Sequence, residues 1–232
     1  MRKLEKIFPK NYFWISIEGT DAVGKTSLLN EIGTFLRNQR KINFAIIKEF
    51  SNSALGYLIQ EIIKEKKFFS LENKIPRPLS ETLILCADFI YQFEKLLFEY
   101  SKTKKLLIIS DRGIHSFLTY QWLRIRRTYR NRDFIFFKRW IKNLFKPIGF
   151  PDFTFLLISP LSDIKERIIE RDGSITEEEL NFIQKVQNEY LKIFKENQTT
   201  MHLILENRNG KFELVKEKAI EKIKEILKEV LS

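Results

Sequence analysis

Apolar and polar residues follow two patterns along this chain. Five short runs are almost continuously apolar and rich in β-branched residues, which is typical of strands buried in a parallel sheet. These runs are YFWISI (12–17), FAIIKEF (44–50), LLIIS (106–110), FTFLLIS (153–159) and HLIL (202–205). Between them, apolar residues recur every three or four positions. This spacing predicts helices near 24–40, 54–67, 79–101, 114–145, 161–171, 177–196 and 212–231.

The alternation of strands and helices predicts an α/β fold. We expect a doubly wound, five-stranded parallel sheet with helices on both faces. The 232 residues suffice for one domain over 1–232, and we find no repeat or linker that divides them. The last helix is expected to pack in the core through Val215, Ala219, Ile223, Ile226 and Val230.

Composition narrows the class of protein. Hydrophobic residues make up 44% of the chain, which excludes a disordered protein. The one cysteine, Cys86, excludes an internal disulfide and indicates a reducing compartment. The N-terminal apolar run is too short for a signal sequence, and no stretch reaches the roughly 18 apolar residues of a membrane span. We therefore expect a soluble, cytoplasmic protein.

One segment near the N-terminus carries a phosphate-binding pattern. GTDAVGKT matches G-x-x-x-x-G-K-[ST] at Gly19, Gly24, Lys25 and Thr26, between a predicted strand and a predicted helix. Backbone N–H groups of such a loop, with the positive end of the helix, replace the water around phosphates. Lys25 is expected to reach the β- and γ-phosphates of ATP, and the Thr26 hydroxyl to hold Mg²⁺. The candidate ATP-binding residues are Gly19, Thr20, Asp21, Ala22, Val23, Gly24, Lys25, Thr26 and Ser27.

A second polar pair follows the third predicted strand. In LLIISDRG, Asp111 and Arg112 stand at the carboxyl end of the strand, where open α/β sheets bind their ligands. Asp111 can order water on Mg²⁺, and Arg112 can hold a second phosphate through two parallel N–H bonds. The pair therefore predicts a phosphate acceptor in line with the donor. A surface ion pair is the alternative.

These motifs, in this order, resemble the thymidylate kinase family of nucleoside-monophosphate kinases. IEGTDAVGKTS resembles the family's E-G-x-D-x-x-G-K-[ST] loop. DRGIHSFLTYQ resembles D-R-[YF]-x-x-S-x-x-A-Y-Q, with matches at Asp111, Arg112, Ser116, Tyr120 and Gln121. PDFTFLLISPLSDIKERIIER resembles a later family segment, with matches at Pro151, Asp152, Pro160, Arg167 and Arg171. The resemblance covers about 12–196 and implies the P-loop kinase fold with a short lid.

The resemblance also implies roles for individual residues. Asp21 is expected to contact the sugar of the acceptor nucleotide, and Arg112 its phosphate. Lys48, Ser116, Tyr120 and Gln121 are expected along the acceptor pocket. Arg167 and Arg171 are expected at the start of a lid over 171–179, where they balance charge on the transferring phosphate; an exposed helix face is the alternative. The candidate catalytic residues are Lys25, Asp111, Arg112, Arg167 and Arg171, with Thr26 and Asp111 as metal ligands.

The acceptor side departs from the family pattern. KEFSNS stands where the family has R-E-P-G-G-T, so Lys48 replaces an arginine. In LILCADF (83–89), Leu85 replaces a base-stacking aromatic residue and Phe89 replaces an arginine. Losing a bidentate arginine contact costs roughly 1.5–3 kcal/mol, which is enough to change the substrate. Core packing is the alternative for both residues of this helix.

The net charge of +11 is concentrated in one segment. Between Trp122 and Pro147 there are nine Lys or Arg residues and one acid, a local charge of +8. Arginines interleave with aromatic residues there, at Arg124, Arg126, Arg127, Arg130, Arg132 and Arg139. We interpret 122–150 as a helical insertion that packs on the domain or at a dimer interface. Acceptor or nucleic-acid binding through 122–147 and binding to a membrane surface are the alternatives.

We therefore expect a Mg²⁺-dependent homodimeric kinase that moves the γ-phosphate of ATP to a nucleoside monophosphate, with dTMP giving dTDP. Two alternatives stay open. One is a kinase of the same fold with another acceptor, either a different nucleotide or a nucleoside. The other is a nucleotide-binding regulatory or nucleic-acid-associated protein without kinase turnover. A GTP switch is excluded because the chain has no N-K-x-D motif.

Overall fold

The computed structural model describes residues 11–39, 42–66, 71, 76–100, 105–129, 133–196 and 201–231. These residues divide between two compact units. We call the described residues within 12–46, 105–113 and 151–232 the sheet unit, and those within 1–11, 47–104 and 114–150 the helical unit.

The predicted fold class is confirmed. Five strands form one parallel sheet with the order β2-β3-β1-β4-β5. The strands are β1 Tyr12–Gly19, β2 Phe44–Ile47, β3 Leu106–Asp111, β4 Phe153–Ile158 and β5 Met201–Glu206. The main difference from the prediction is β2, which ends at Ile47 rather than at 50 because the charged pair Lys48 and Glu49 interrupts the apolar run.

The helices of the described residues follow the predicted order, with one exception given below. They are α1 Lys25–Arg37, α2 Ala54–Lys66, α3 Pro78–Glu99, α4 Ile114–Ser116, α5 Trp122–Thr128, α6 Phe134–Phe145, α7 Leu161–Asp172, α8 Glu177–Glu196 and α9 Phe212–Leu231. A π-helical turn, Phe117–Gln121, joins α4 to α5, and a 3₁₀ turn, Lys146–Ile148, follows α6.

Alternate residues of the strands face opposite sides of the sheet. On one side, Ile15 and Ile17 of β1 belong to an apolar core with Leu28 and Ile32 of α1. On the other side, buried polar groups bond to one another. These bonds join Trp14 to Ser110 (2.8 Å), Ser16 to Thr154 (2.9 Å) and Tyr190 to Glu18 (3.0 Å). On this side, the buried polar groups extend to Glu18, the residue that precedes the phosphate-binding loop.

Local sequence determines where α8 begins and which residues of α9 are buried. Thr176 caps α8, because its hydroxyl accepts a bond from Glu179 N while the Glu179 carboxylate accepts one from Thr176 N. The last helix is buried where the apolar spacing predicts, at Val215, Ala219, Ile223 and Ile226. The side chain of Val230, also predicted to be buried, lies outside the described residues.

The prediction of one continuous helix over 114–145 is wrong. The first helical stretch ends at Thr128, followed by Tyr129 in an extended conformation. The next helix starts at Phe134, and its N-cap residue Asp133 is also extended and accepts a bond from Ile135 N at 2.8 Å. Asp133 ends the helical pattern because its carboxylate serves the first N–H groups of a new helix. Arg130 and Arg132 lie outside the described residues.

Aromatic packing and one ion pair organise the helical unit. Phe89 of α3 contacts Phe93, Phe117 and Phe145, with ring centroids 5.3–5.9 Å apart. Arg124 of the basic segment pairs with the fully buried Glu81 at 2.6 Å.

Among the described residues, no helix combines the length and apolar character needed to cross a membrane.

Candidate active site

The loop from Gly19 to Gly24 requires both of its motif glycines. Gly19 has φ +142°, and a Cβ atom there would lie 2.4 Å from the carbonyl oxygen of Leu157. Gly24 has φ +95°, and its Cβ atom would lie 2.6 Å from the Asn207 side-chain nitrogen. Any side chain at either position would collide with β4 or with the segment after β5. The glycines therefore let two other strands approach the loop closely.

Five successive loop residues are each held by the side chain of another residue. The bonds run from Arg112 Nη1 to Gly19 O (3.1 Å), from Lys25 Nζ to Thr20 O (2.7 Å), from Arg171 to the Asp21 carboxylate (2.8 and 3.3 Å), from Arg167 Nη1 to Ala22 O (3.0 Å) and from Asn207 Nδ2 to Val23 O (2.9 Å). Four of the five donors are cationic. The loop is thus surrounded by positive charge, as a site for a polyphosphate requires.

Asp111 and Arg112 reach the loop because β1 and β3 are neighbours. Ile17 of β1 lies opposite Asp111, the last residue of β3, so Arg112 directly follows the strand next to the end of β1. Arg112 N donates to Ile17 O at 2.8 Å, and Arg112 has a left-handed φ of 70°. That conformation is costly for a residue with a side chain, and here the bond to Ile17 stabilises it. Arg112 is therefore held with its guanidinium on the loop.

An ion pair joins Asp21 to Arg171 at the end of α7. Burial alone raises the pKa of Asp21, but the hydrogen bond from Arg171 and the nearby positive charges outweigh it and hold that pKa well below its usual range. Those charges are on Lys25, Arg171 and Arg112. In turn, the carboxylates of Asp172 and Asp21 raise the pKa of Arg171 above its ordinary value. Asp21 is thus ionised in the folded chain and already paired with a cation.

Two oxygen donors suit a small divalent cation. The Thr26 hydroxyl lies in the first turn of α1 and is 3.5 Å from Asp111 Oδ2. Asp111 is buried, whereas Thr26 and the neighbouring Ser27 are exposed. Mg²⁺ prefers oxygen ligands and usually takes one or two carboxylates together with substrate phosphates and water. Among the described residues, no group of three or more His, Cys, Asp or Glu side chains is arranged as a metal site.

The predicted acceptor residues other than Asp21 and Arg112 belong to the helical unit. Lys48 is exposed directly after β2, and its carbonyl accepts a bond from Gln92 at 3.1 Å. Ser116 ends α4 and is buried, whereas Tyr120 and Gln121 lie in the π-helical turn. Gln121 Oε1 accepts a bond from the Thr82 hydroxyl at 3.2 Å. π-Helical turns occur often at functional sites.

The segment that departs from the family pattern contains a buried polar cluster. Asp88 is 1% exposed and accepts bonds from Ser51 N at 2.9 Å and from the Ser51 hydroxyl. The residue after it, Phe89, is 3% exposed within the aromatic core, so it replaces an arginine with a packing residue. Leu85 is half-buried. Sequence reasoning missed the Asp88 cluster, although an acid on an apolar helix face is a usable signal.

Sequence reasoning also missed the polar residues that follow β4 and β5. Ser159 and Asn207 are both buried, and the Ser159 hydroxyl donates to the carbonyl of Asn207. The sequence places both residues at or just after the carboxyl ends of predicted strands, where open α/β sheets bind their ligands.

Comparison with known proteins identifies relatives. The family model described as Thymidylate kinase matches residues 17–219. A thymidylate kinase of Lactobacillus acidophilus is 29% identical over 194 residues, covering 80% of this chain and 82% of the relative. A probable thymidylate kinase of Pyrococcus horikoshii is 30% identical over 185 residues, covering 78% and 82%. The crystal structure of thymidylate kinase from Ehrlichia chaffeensis matches with a TM-score of 0.63 and 18% identity over 92% of this chain and 98% of that chain, which shows the same fold.

Proposed function

Because the chain belongs to the thymidylate kinase family of ATP-using nucleoside-monophosphate kinases, we propose that it transfers the γ-phosphate of ATP to dTMP, giving dTDP and ADP. Two of the matched relatives are named as a thymidylate kinase and a probable thymidylate kinase. At about 30% identity this likeness makes dTMP the first acceptor to test.

One observation carries the proposal. Three cationic side chains, on Arg112, Lys25 and Arg171, bond to three successive residues of the phosphate-binding loop, Gly19, Thr20 and Asp21. Phosphoryl transfer needs positioning and charge neutralisation more than covalent chemistry from the protein. Lys25 and Arg171 would balance the charge of the ATP phosphates, and Arg112 would hold the acceptor phosphate through its planar fork.

The same site has donors for Mg²⁺. The Thr26 hydroxyl and the Asp111 carboxylate would hold the ion, which would neutralise charge on the phosphates when bound. Asp21 is expected to contact the acceptor. For this, its ion pair with Arg171 has to break, or the Asp21 carboxylate has to bind Arg171 and the acceptor at the same time. The acceptor contacts of Lys48, Ser116, Tyr120 and Gln121 stay predictions, as does a cytoplasmic location.

A different acceptor is the second candidate. Phe89 lies in the aromatic core of the helical unit and Lys48 is exposed, so neither supplies the bidentate contact of the arginine that it replaces. These two substitutions alter groups that would otherwise recognise the base or phosphate of the acceptor. A kinase with the same donor site and another nucleotide or nucleoside as acceptor therefore has a specific observation in its favour.

A release assay for ADP decides between these functions. The chain is incubated with ATP, Mg²⁺ and each common nucleoside monophosphate or nucleoside in turn, with Lys25→Ala as the inactive control. Turnover with dTMP supports the proposal, and turnover with another acceptor alone supports the second candidate. ATP binding without turnover on any acceptor would contradict both and favour a regulatory nucleotide-binding protein.

We also propose that the chain forms a homodimer through α3. This helix buries Cys86, Phe89 and Phe93 on one face and exposes the apolar residues Leu79, Leu83, Tyr91 and Phe98 on another. Exposed apolar stripes of this kind mark protein interfaces. Light scattering after gel filtration is expected to give twice the mass of one chain, and Leu83→Lys to shift it to one chain. A monomeric unaltered chain would refute this assembly.

A further inference from the structure

Four hydrogen bonds join the Arg167 guanidinium to protein oxygens. Nε donates to Asn209 Oδ1 at 2.9 Å, and Nη1 donates both to Ala22 O at 3.0 Å and to Ser159 Oγ at 2.9 Å. Nη2 donates to Asn207 O at 3.0 Å and lies 3.9 Å from the Asp163 carboxylate. An arginine has five such donors, so these four bonds use most of the fork.

These acceptors come from three separate segments of the sheet unit. Ala22 belongs to the phosphate-binding loop, Ser159 follows β4, and Asn207 and Asn209 follow β5. Arg167 itself lies in the middle of α7. The guanidinium thus connects the phosphate-binding loop to the segments that follow β4 and β5. Because the guanidinium is planar, it restricts the angles between its bonding partners as well as their distances.

The partners of Arg167 are themselves held in place. Gln187 of α8 bonds both backbone groups of Ser159, accepting from its N at 3.1 Å and donating to its O at 3.0 Å. Asn209 N donates to the Asp163 carboxylate at 2.8 Å, and the Asn209 amide donates to Glu166 at 2.6 Å. The acceptors that hold the guanidinium are therefore fixed by helices on either side of the lid segment.

Asn207 holds the next loop residue, Val23, through a bond to its carbonyl oxygen. Its amide donates to Val23 O at 2.9 Å, and its carbonyl accepts from Arg167. Asn207 is 5% exposed and contacts the position where Gly24 would carry a Cβ atom. Ala22 has a left-handed φ of 56°, which is costly for a residue with a side chain unless its surroundings hold it. Arg167 and Asn207 bond two successive loop carbonyls, those of Ala22 and Val23.

We propose that Arg167 is a positioning residue, which with Ser159 and Asn207 holds Ala22 and Val23 in the shape that binds the ATP phosphates. It acts through the loop backbone rather than as a lid arginine that touches the transferring phosphate, because four of its five N–H donors are already bonded to protein oxygens. Arg171, one turn further along α7, is more exposed than Arg167 (52% against 22%), and its bonds go to the carboxylates of Asp21 and Asp172 rather than to the loop backbone. The inference rests on the proposed use of ATP but not on the identity of the acceptor.

The test compares ATP affinity, measured by calorimetry without acceptor, with steady-state kinetics. Arg167→Lys keeps the charge but cannot reproduce the fork. It is expected to raise the Kd and KM for ATP together by about tenfold or more, and to leave kcat within about twofold. The KM for the acceptor is expected to stay unchanged. Asn207→Ala is expected to shift ATP affinity in the same direction, with an effect that is not additive with Arg167→Lys because the two side chains hold successive carbonyls of the loop.

The control is Arg208→Lys, an exposed arginine of the same segment that pairs with Glu206. It is expected to leave ATP affinity unchanged. If kcat falls in Arg167→Lys while the Kd for ATP does not move, Arg167 contacts the reacting phosphate and the inference fails. Additive effects of Arg167→Lys and Asn207→Ala on ATP affinity would overturn it as well.

Thermal melting identifies variants that fail to fold. In that case Asn209→Ala, which removes one exposed acceptor of the Arg167 guanidinium, provides a milder test with the same expected direction.

Two further outcomes separate this inference from the proposed function. If the chain binds ATP but phosphorylates no acceptor, the proposed kinase activity fails, and an ATP affinity that still falls in Arg167→Lys supports the positioning role. If the unaltered chain does not bind ATP, both conclusions are overturned.

Discussion

The phosphate-binding loop of the sheet unit and the buried Glu81–Arg124 pair of the helical unit hold their polar groups in different ways. In the phosphate-binding loop, four carbonyl oxygens and one carboxylate, on residues 19–23, accept bonds from distant side chains. In the helical unit, the buried carboxylate of Glu81 pairs with the side chain of Arg124. Backbone oxygens are present whatever the residue, whereas a side-chain pair is lost when one member changes. The bonds to the loop carbonyls therefore do not depend on the side chains of the residues that accept them, whereas the Glu81–Arg124 pair depends on both of its side chains.

The substitutions in the helical unit illustrate the second case. Phe89 stands where the family pattern has an arginine, and its ring packs against those of Phe93 and Phe145 in an aromatic core. Of the arginines in the basic segment, Arg124 is used in a buried ion pair, while Arg126 and Arg127 are exposed. Part of this basic, aromatic segment thus serves packing within the helical unit, and its positive charge alone does not identify a nucleic-acid site.

The most damaging change is expected in the loop itself. Lys25→Ala removes the cation that bonds Thr20 O and would face the phosphates, so kcat is expected to fall by about 10²–10³-fold or more. The ADP-release assay measures this loss. Lys192→Ala, an exposed lysine of α8, is the matched control and should leave turnover unchanged. Full activity in Lys25→Ala would show that the loop does not bind the transferred phosphate.

In the helical unit, the largest effect is expected on stability rather than on rate. Arg124→Met leaves Glu81 buried without its cationic partner, which is expected to cost about 3 kcal/mol of unfolding free energy. Chemical denaturation measures the change, with the exposed Arg126→Met as control. A variant with unaltered stability but weakened substrate binding would assign Arg124 to function and reverse the comparison between the two units.

Arg112 tests whether the sheet unit also recognises a second phosphate. Arg112→Lys keeps the charge but loses the planar fork, and turnover is expected to fall about tenfold to a hundredfold. The KM for the acceptor is expected to rise while the calorimetric Kd for ATP stays close to that of the unaltered chain. If ATP affinity falls and the acceptor KM is unchanged, Arg112 belongs to the donor site alone.

A smaller effect is expected where the loop backbone is strained. Ala22 has a left-handed φ of 56°, so Ala22→Gly is expected to stabilise the folded chain by about 0.5–1 kcal/mol. Gly24→Ala is the opposite change, since its Cβ atom would lie 2.6 Å from the Asn207 amide, and it is expected to destabilise. Melting temperatures measure both. Equal and small effects would mean that the loop adjusts freely and is not held by its neighbours.

The smallest effect concerns pH. The folded pKa of Asp21 lies below that of a carboxyl group in an unfolded chain, so its ionised form stabilises the fold above about pH 4. This contribution is lost as the pH falls through the unfolded and then the folded value. Unfolding midpoints of the unaltered chain and Asp21→Asn should therefore differ near neutral pH and converge in acid. The side chain is 43% exposed, so added salt should reduce the difference. A difference that grows on acidification would contradict this sign.

The sequence alone was sufficient for the elements that depend on neighbours along the chain. The five strands, the loop between β1 and α1, and the buried positions of α9 follow from apolar spacing and from two glycines. The break between Thr128 and Phe134 was missed although its signal is local, because continuous apolar spacing conceals the cap at Asp133. The fold class and the place of the loop were therefore within reach of sequence reasoning.

Only the tertiary structure decided which groups the cationic side chains bond. Arg112 reaches Gly19 across 93 residues of sequence, Arg171 reaches Asp21 across 150, and Asn207 reaches Val23 across 184. Sequence reasoning assigned Arg167 and Arg171 one shared role, yet Arg167 bonds protein oxygens on three segments and Arg171 pairs with a carboxylate. The physical reason is that a hydrogen bond depends on distance and direction between atoms, and strand order sets both for residues far apart in the chain.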